Sequence, residues 1–100
     1  MHSGAEFGIS QAAMLHLAGS LAHLTMASDS HYHHLTDDII EGGKLHYKNG
    51  EMAVPTGPGL GVSLDRDKLA RYAELAKRQE MGAWTDDPRQ PGRVITQPKW

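Results

Sequence analysis

An α/β fold, made of elements that belong to a larger sheet or barrel, is what this sequence predicts, and three observations predict it. From Phe7 to Ser28 run twenty-two residues without one Asp, Glu, Lys or Arg; Asn49-Gly50 sits between two alternating segments; and Asp65 opens a stretch of helical periodicity. The uncharged run is long enough to raise a membrane span. It carries Ser10, Gln11, His16, Ser20, His23, Thr25 and Ser28, too many polar side chains for hydrocarbon, so no membrane is expected.

The run reads instead as a helix from about residue 6 to 22. Ile9, Ala12, Ala13, Leu15, Leu17, Ala18 and Leu21 cover most of its circumference, which predicts burial on nearly all sides. A short strand is expected over residues 24–27, ending at Ser28-Asp29-Ser30. Next, residues 44–48 and 51–55 flank Asn49-Gly50, the pair that supplies both φ > 0 positions of a type I′ turn. A two-residue loop sets Lys48 opposite Glu51 and Tyr47 opposite Met52, with Leu45, Tyr47, Met52 and Val54 on one face. Gly57-Pro58-Gly59-Leu60-Gly61 reads as a rigid turn rather than a phosphate loop. Asp65 then caps a helix to about Glu80, with Leu69, Tyr72, Ala73 and Ala76 on one face and ion pairs Asp67 with Arg71 and Glu74 with Arg78 on the other; Gly82 stops it. Beyond Trp84, Pro, Arg, Asp and Gln predict an extended tail. One all-round apolar helix, one strand, one hairpin and one amphipathic helix are too few layers to enclose the first helix, so neighbours from a larger α/β sheet or barrel are expected to cover it.

Composition bounds the function. Across 100 residues, ten Lys+Arg against twelve Asp+Glu leave a formal charge of -2 with the basic residues spread singly, which excludes a nucleic-acid surface. Zero Cys excludes disulfides, thiolate zinc and Cys nucleophiles. Met1-His2-Ser3-Gly4 does not open a signal peptide, and the cytoplasm is the expected compartment. Among residues with chemistry, His31, His33 and His34 with Asp29, Asp37 and Asp38 form the densest set of potential ligands, and in a strand His31 and His33 would share a face. His16 and His23 read as satisfied histidines of the apolar segment, and His46 as solvated. Ser10 lacks the setting of a nucleophile elbow.

Several runs together resemble a known family: residues 2–10 (His-Ser-Gly-Ala-Glu-Phe-Gly-Ile-Ser), residues 12–18, Ala27-Ser28-Asp29-Ser30-His31, and Val54-Pro55 through Pro58-Gly59-Leu60-Gly61-Val62 to Leu64-Asp65. They look like the C-terminal end of the enolase superfamily, of mandelate racemase and muconate lactonizing type, and within it like glucarate dehydratase-like acid-sugar dehydratases, over residues 2 to about 80. The His-Ser pair ahead of a helix and the later Asp-Ser-His are the specific features. The resemblance implies the last part of a modified (β/α)7β barrel, with the active site at the C-terminal strand ends. Residues 1–40 would be the last barrel units (seventh helix, eighth strand, active-site loop), 41–63 a hairpin and Pro/Gly loop, 64–81 the helix returning to a capping domain, and 82–100 a tail.

The resemblance also implies chemistry: removal of the proton α to a sugar-acid carboxylate, Mg2+ stabilising the enolate, and loss of a β-hydroxyl. On this basis His2 matches the catalytic histidine, Ser3 and Gly4 line the substrate, and His31 contacts it. Gly4 stands where glucarate dehydratases tend to have Asn, and Trp84-Thr85-Asp86-Asp87 where a carboxylate-binding Arg would stand, which turns the expectation away from glucarate itself. The family's metal ligands, its opposite-face lysine and the acidic partner of its histidine belong to earlier strands, so no metal ligand is expected here. The chain is therefore expected to be the C-terminal quarter of an enzyme about four times longer, read from an internal methionine and inactive alone, with the remainder of the barrel or a homo-oligomer as partner. Two other readings stand beside it: a small interaction protein docking through its apolar helix, and a metal-binding module using His31, His33 and His34.

Overall fold

The computed structural model describes residues 2, 4 and 6–78 of the chain. Two compact units divide the chain, residues 1–69 and 70–100. The elements run α1 (Gly8–Ser20), a 3-10 turn (His31–His34), β1 (Tyr47–Lys48), β2 (Glu51–Met52) and α2 (Arg66–Arg78). The expected extended tail and the Gly82 stop lie outside the described residues.

Helix α1 begins after Phe7, whose extended backbone is its N-cap and offers no side-chain hydrogen bond. The helix still finds a carboxylate for its first turn, from thirty residues away: Gly8 N–H donates to Asp38 Oδ1 at 2.9 Å. An anion there answers both the unsatisfied first-turn N–H groups and the positive end of the helix dipole. Of α1, only Gly8, Gln11 and Ala12 are buried, while Leu17 remains 51% exposed. Burial on nearly all sides is therefore not met within this chain: among the described residues too few apolar groups face α1 to cover its other sides.

No strand forms at 24–27. A strand persists only where a neighbouring backbone completes its ladder, and among the described residues such pairing comes only beyond this segment, as an isolated parallel bridge between His2 and Asp29. The hairpin keeps its expected register, Tyr47 opposite Met52 and Lys48 opposite Glu51, with Asn49 at φ 53° and Gly50 at φ 80°. It is shorter than expected because a two-stranded ribbon is marginal in water away from its turn. A contact not foreseen from sequence joins residues 39–41 to 63–65: Glu41 N–H reaches Ser63 O at 2.9 Å, Asp65 N–H reaches Ile39 O at 2.8 Å, and Ile40 bridges Leu64. At the turn before it, Gly61 holds φ 71°, and a Cβ there would lie 2.6 Å from Pro55 Cβ, so both backbone and space require glycine.

Asp65 caps α2 as expected, its Oδ1 accepting from Asp67 N–H at 3.1 Å and Lys68 N–H at 2.9 Å. Asp65→Ala should destabilise the chain by about 0.5–2 kcal/mol; an unchanged urea midpoint would contradict the cap. On the solvated side Glu74 pairs with Lys77 at 2.6 Å, not with Arg78, and Arg71 donates to the Tyr72 hydroxyl at 2.8 Å.

The small core of the first unit is half polar. Ala12, Tyr32 and Ile40 are buried beside Gln11, Ser30 and Asp38. The Tyr32 hydroxyl donates to Asp38 Oδ2 and accepts from Leu45 N–H at 2.9 Å. Burial, reinforced by the Asp38 hydrogen bond, pushes the Tyr32 phenol well up, so it stays a neutral donor to the carboxylate. Ser30 Oγ donates to Gln11 Oε1 at 2.8 Å and accepts Tyr32 N–H at 3.1 Å. Buried polar groups so fully paired specify one arrangement of the segments that carry them.

Candidate functional site

Three of the four residues singled out from sequence come together; the fourth, Ser3, lies outside the described residues. His2 and Gly4 precede α1, and His31 opens the 3-10 turn. His31 N–H donates to Gly4 O at 3.2 Å, and the His2 and His31 rings meet edge to face with centroids 5.8 Å apart. The two imidazoles thus stand at neighbouring backbone ends.

In the sequence Asp29 stands among the potential ligands and in the Asp-Ser-His run of the family resemblance, with no link to His2. Its Oδ2 lies 3.8 Å from His2 Nε2, with the side chains 64% and 73% exposed. Exposed pairs of this kind contribute little to stability. Their chemical meaning is different: a carboxylate beside an imidazole orients the ring, the arrangement a proton-transfer histidine uses. The signal that could have found it is the parallel register of residues 2 and 29, which no single-segment pattern reveals.

The histidine-rich run does not form the strand that would set His31 and His33 on one face. Ser30 Oγ accepts Tyr32 N–H and turns the chain into a 3-10 helix instead. His33 and His34 rings then lie 3.9 Å apart and His31 and His34 rings 5.6 Å apart, while His33 Nδ1 sits 3.2 Å from Ser30 O. The carboxylates are engaged elsewhere: Asp37 pairs with Lys68 Nζ at 2.8 Å, and Asp38 is fully buried on its own donors. Among the described residues, no three His, Asp or Glu side chains converge to hold a metal ion. Mg2+ demands near-octahedral oxygen ligation, and these residues do not supply it. His16, expected to be satisfied, is hydrogen-bonded, its Nε2 3.1 Å from Leu60 O. A cavity of about 470 Å³ opens beside the site, with Asp29, Gln11, Met14, Tyr47 and Met52 in its wall. No helix among the described residues is long and apolar enough to cross a membrane.

A Streptomyces coelicolor protein named "Probable glucarate dehydratase" is 36% identical over all 100 residues, which span 23% of its length. A solved isomerase structure from Streptomyces coelicolor matches 78% of the chain at 51% identity and a TM-score of 0.71, covering 20% of that protein. A Pseudomonas fluorescens enolase, solved with magnesium, potassium and tartrate bound, matches 77% at 37% identity and a TM-score of 0.73, covering 18% of that protein. The chain thus spans about a quarter or less of the relatives it matches. The model of the family described as "Enolase C-terminal domain-like" covers residues 1–68, and with it the site, both turns and the start of α2: this chain belongs to that family, with a fold of TIM-barrel type.

Proposed function

We propose that this segment serves a dehydratase of a glucarate-like sugar acid, with His2 as a proton-transfer group and Gly4 and His31 lining the substrate. The observation that carries the reading is the meeting of His2, Asp29 and His31 at adjacent backbone ends. It is supported by the relative named for glucarate dehydration and by the tartrate, itself a small hydroxy acid, in a solved relative. Ser3 completes the set as a substrate contact. In the same reading residues 1–40 are the last barrel units, with α1 as the seventh helix and residues 24–27 at the place of the eighth strand. Residues 41–63 and 64–81 lead to a capping domain, 82–100 form a tail, and the protein works in the cytoplasm.

The reaction balances without an oxidant. The electron pair of the C–H bond α to the carboxylate becomes the new C=C bond, and the β-hydroxyl departs with a proton as water. The resulting enol takes a proton on carbon to become an α-keto acid. His2, supported by Asp29, takes or gives the proton on one face of the substrate. Magnesium dependence is proposed for the enzyme as a whole, with ligands outside the described residues.

The test uses the polypeptide that contains this segment together with regions matching the rest of its relatives. Incubated with a panel of sugar acids in D2O and Mg2+, it should wash deuterium into the α position and release α-keto acid from at least one of them. Exchange without keto-acid formation would favour racemisation, as the isomerase name of a solved relative suggests, and would overturn the dehydratase assignment.

A further inference from the structure

We infer that Asp38, buried behind the site rather than on its surface, is a positioning residue that sets the spacing between His2 and His31; the role assigned to those histidines rests on the reading above. The site is built from two segments, one ahead of α1 and one after Ser30. Asp38 binds both from behind. Its Oδ1 accepts Gly8 N–H at 2.9 Å, four residues after Gly4, and its Oδ2 accepts the hydroxyl of Tyr32, the neighbour of His31. Ile39 N–H at 2.6 Å fixes the rotation of the carboxylate, and Leu45 N–H at 2.9 Å fixes the phenol.

One rigid group of two oxygens therefore spans the segments, and it is wholly buried. Its partners among the described residues are two backbone N–H groups and a phenol, with no cation among them, so burying this carboxyl group costs free energy that burying an apolar residue would not. What an apolar residue could not do is hold two donors from different segments at a fixed separation. Gly8 confirms how closely the parts meet: a Cβ there would stand 2.5 Å from Asp38 Oδ2.

The 100-residue chain itself tests this by NMR. The readout is the cross-relaxation between the His2 and His31 rings, whose centroids lie 5.8 Å apart. Asp38→Asn keeps an acceptor for Gly8 but meets Tyr32 with an amide donor, and Tyr32→Phe removes the hydroxyl while keeping the ring. Both should lose the His2–His31 signal at least fivefold while amide dispersion persists. Asp65→Ala, which removes the side-chain cap of α2 and leaves the hydrogen bonds of Asp38 in place, should retain it. An unchanged signal in Asp38→Asn and Tyr32→Phe overturns the proposal, as does equal loss in Asp65→Ala or a wild-type chain without the contact; should Asp38→Asn fail to fold, Tyr32→Phe decides. The readout needs no turnover, so a failed dehydratase reading leaves this result standing, and the reverse.

Discussion

Gly8→Ala is expected to destabilise the chain by about 2–4 kcal/mol, the opposite of what the substitution ordinarily does in a helix. Replacing glycine by alanine in a helix gains roughly 0.5–1 kcal/mol from backbone entropy and propensity. At Gly8 the added methyl would lie 2.5 Å from Asp38 Oδ2, 2.7 Å from Ile40 Cδ1 and 3.2 Å from Asp38 Cγ. None of these is a flexible end. Ile40 is 2% exposed, and Asp38 is held by Gly8, Ile39 and Tyr32. Overpacking of this kind costs about 1–3 kcal/mol. Easing it by withdrawing α1 breaks a hydrogen bond to a buried carboxylate, for about 1–3 kcal/mol more. The two exceed the propensity gain. Urea unfolding followed by circular dichroism decides the matter, and a variant as stable as the parent would refute the close packing of α1 on Asp38.

What could be read from sequence, and what could not, divides along the range of the forces involved. Asn49-Gly50 and Asp65 act on residues within three positions of themselves, and the structure keeps the hairpin register and the cap where the pattern puts them. Helix α1 was legible as a helix, two residues shorter at each end than expected, because its N-terminus is set by Asp38 and not by a local cap. Asp38 itself was misread as a potential ligand: the sequence shows a carboxylate among histidines, and only the tertiary structure shows that its donors come from residues 8, 32 and 39. The segment after α1 lacks its expected strand in this chain for the same reason, since ladder partners are not encoded in the segment that needs them. The meeting of His2, Gly4 and His31 was expected from family resemblance, and the partnership of Asp29 with His2 was visible from neither pattern nor resemblance.

The largest expected effect on turnover belongs to His2. In the polypeptide carrying this segment, His2→Gln should lower kcat by about 10²–10⁴-fold, the range for removal of a positioned acid or base, while KM changes little because glutamine retains a hydrogen-bonding end. Asp29→Asn should cost less, since in the proposed function Asp29 supports His2 and the pair, at 3.8 Å, is open to water. Solvent exchange divides the two possible tasks of the imidazole. If His2 takes the α proton, His2→Gln abolishes both deuterium wash-in and keto-acid release. If His2 instead delivers the proton that lets the β-hydroxyl leave, wash-in survives while release falls, because the enolate still forms and returns. A variant that keeps more than a tenth of parental kcat on both measures would remove His2 from the chemistry. The contact with Asp29 would then be no more than the surface pair its exposure describes.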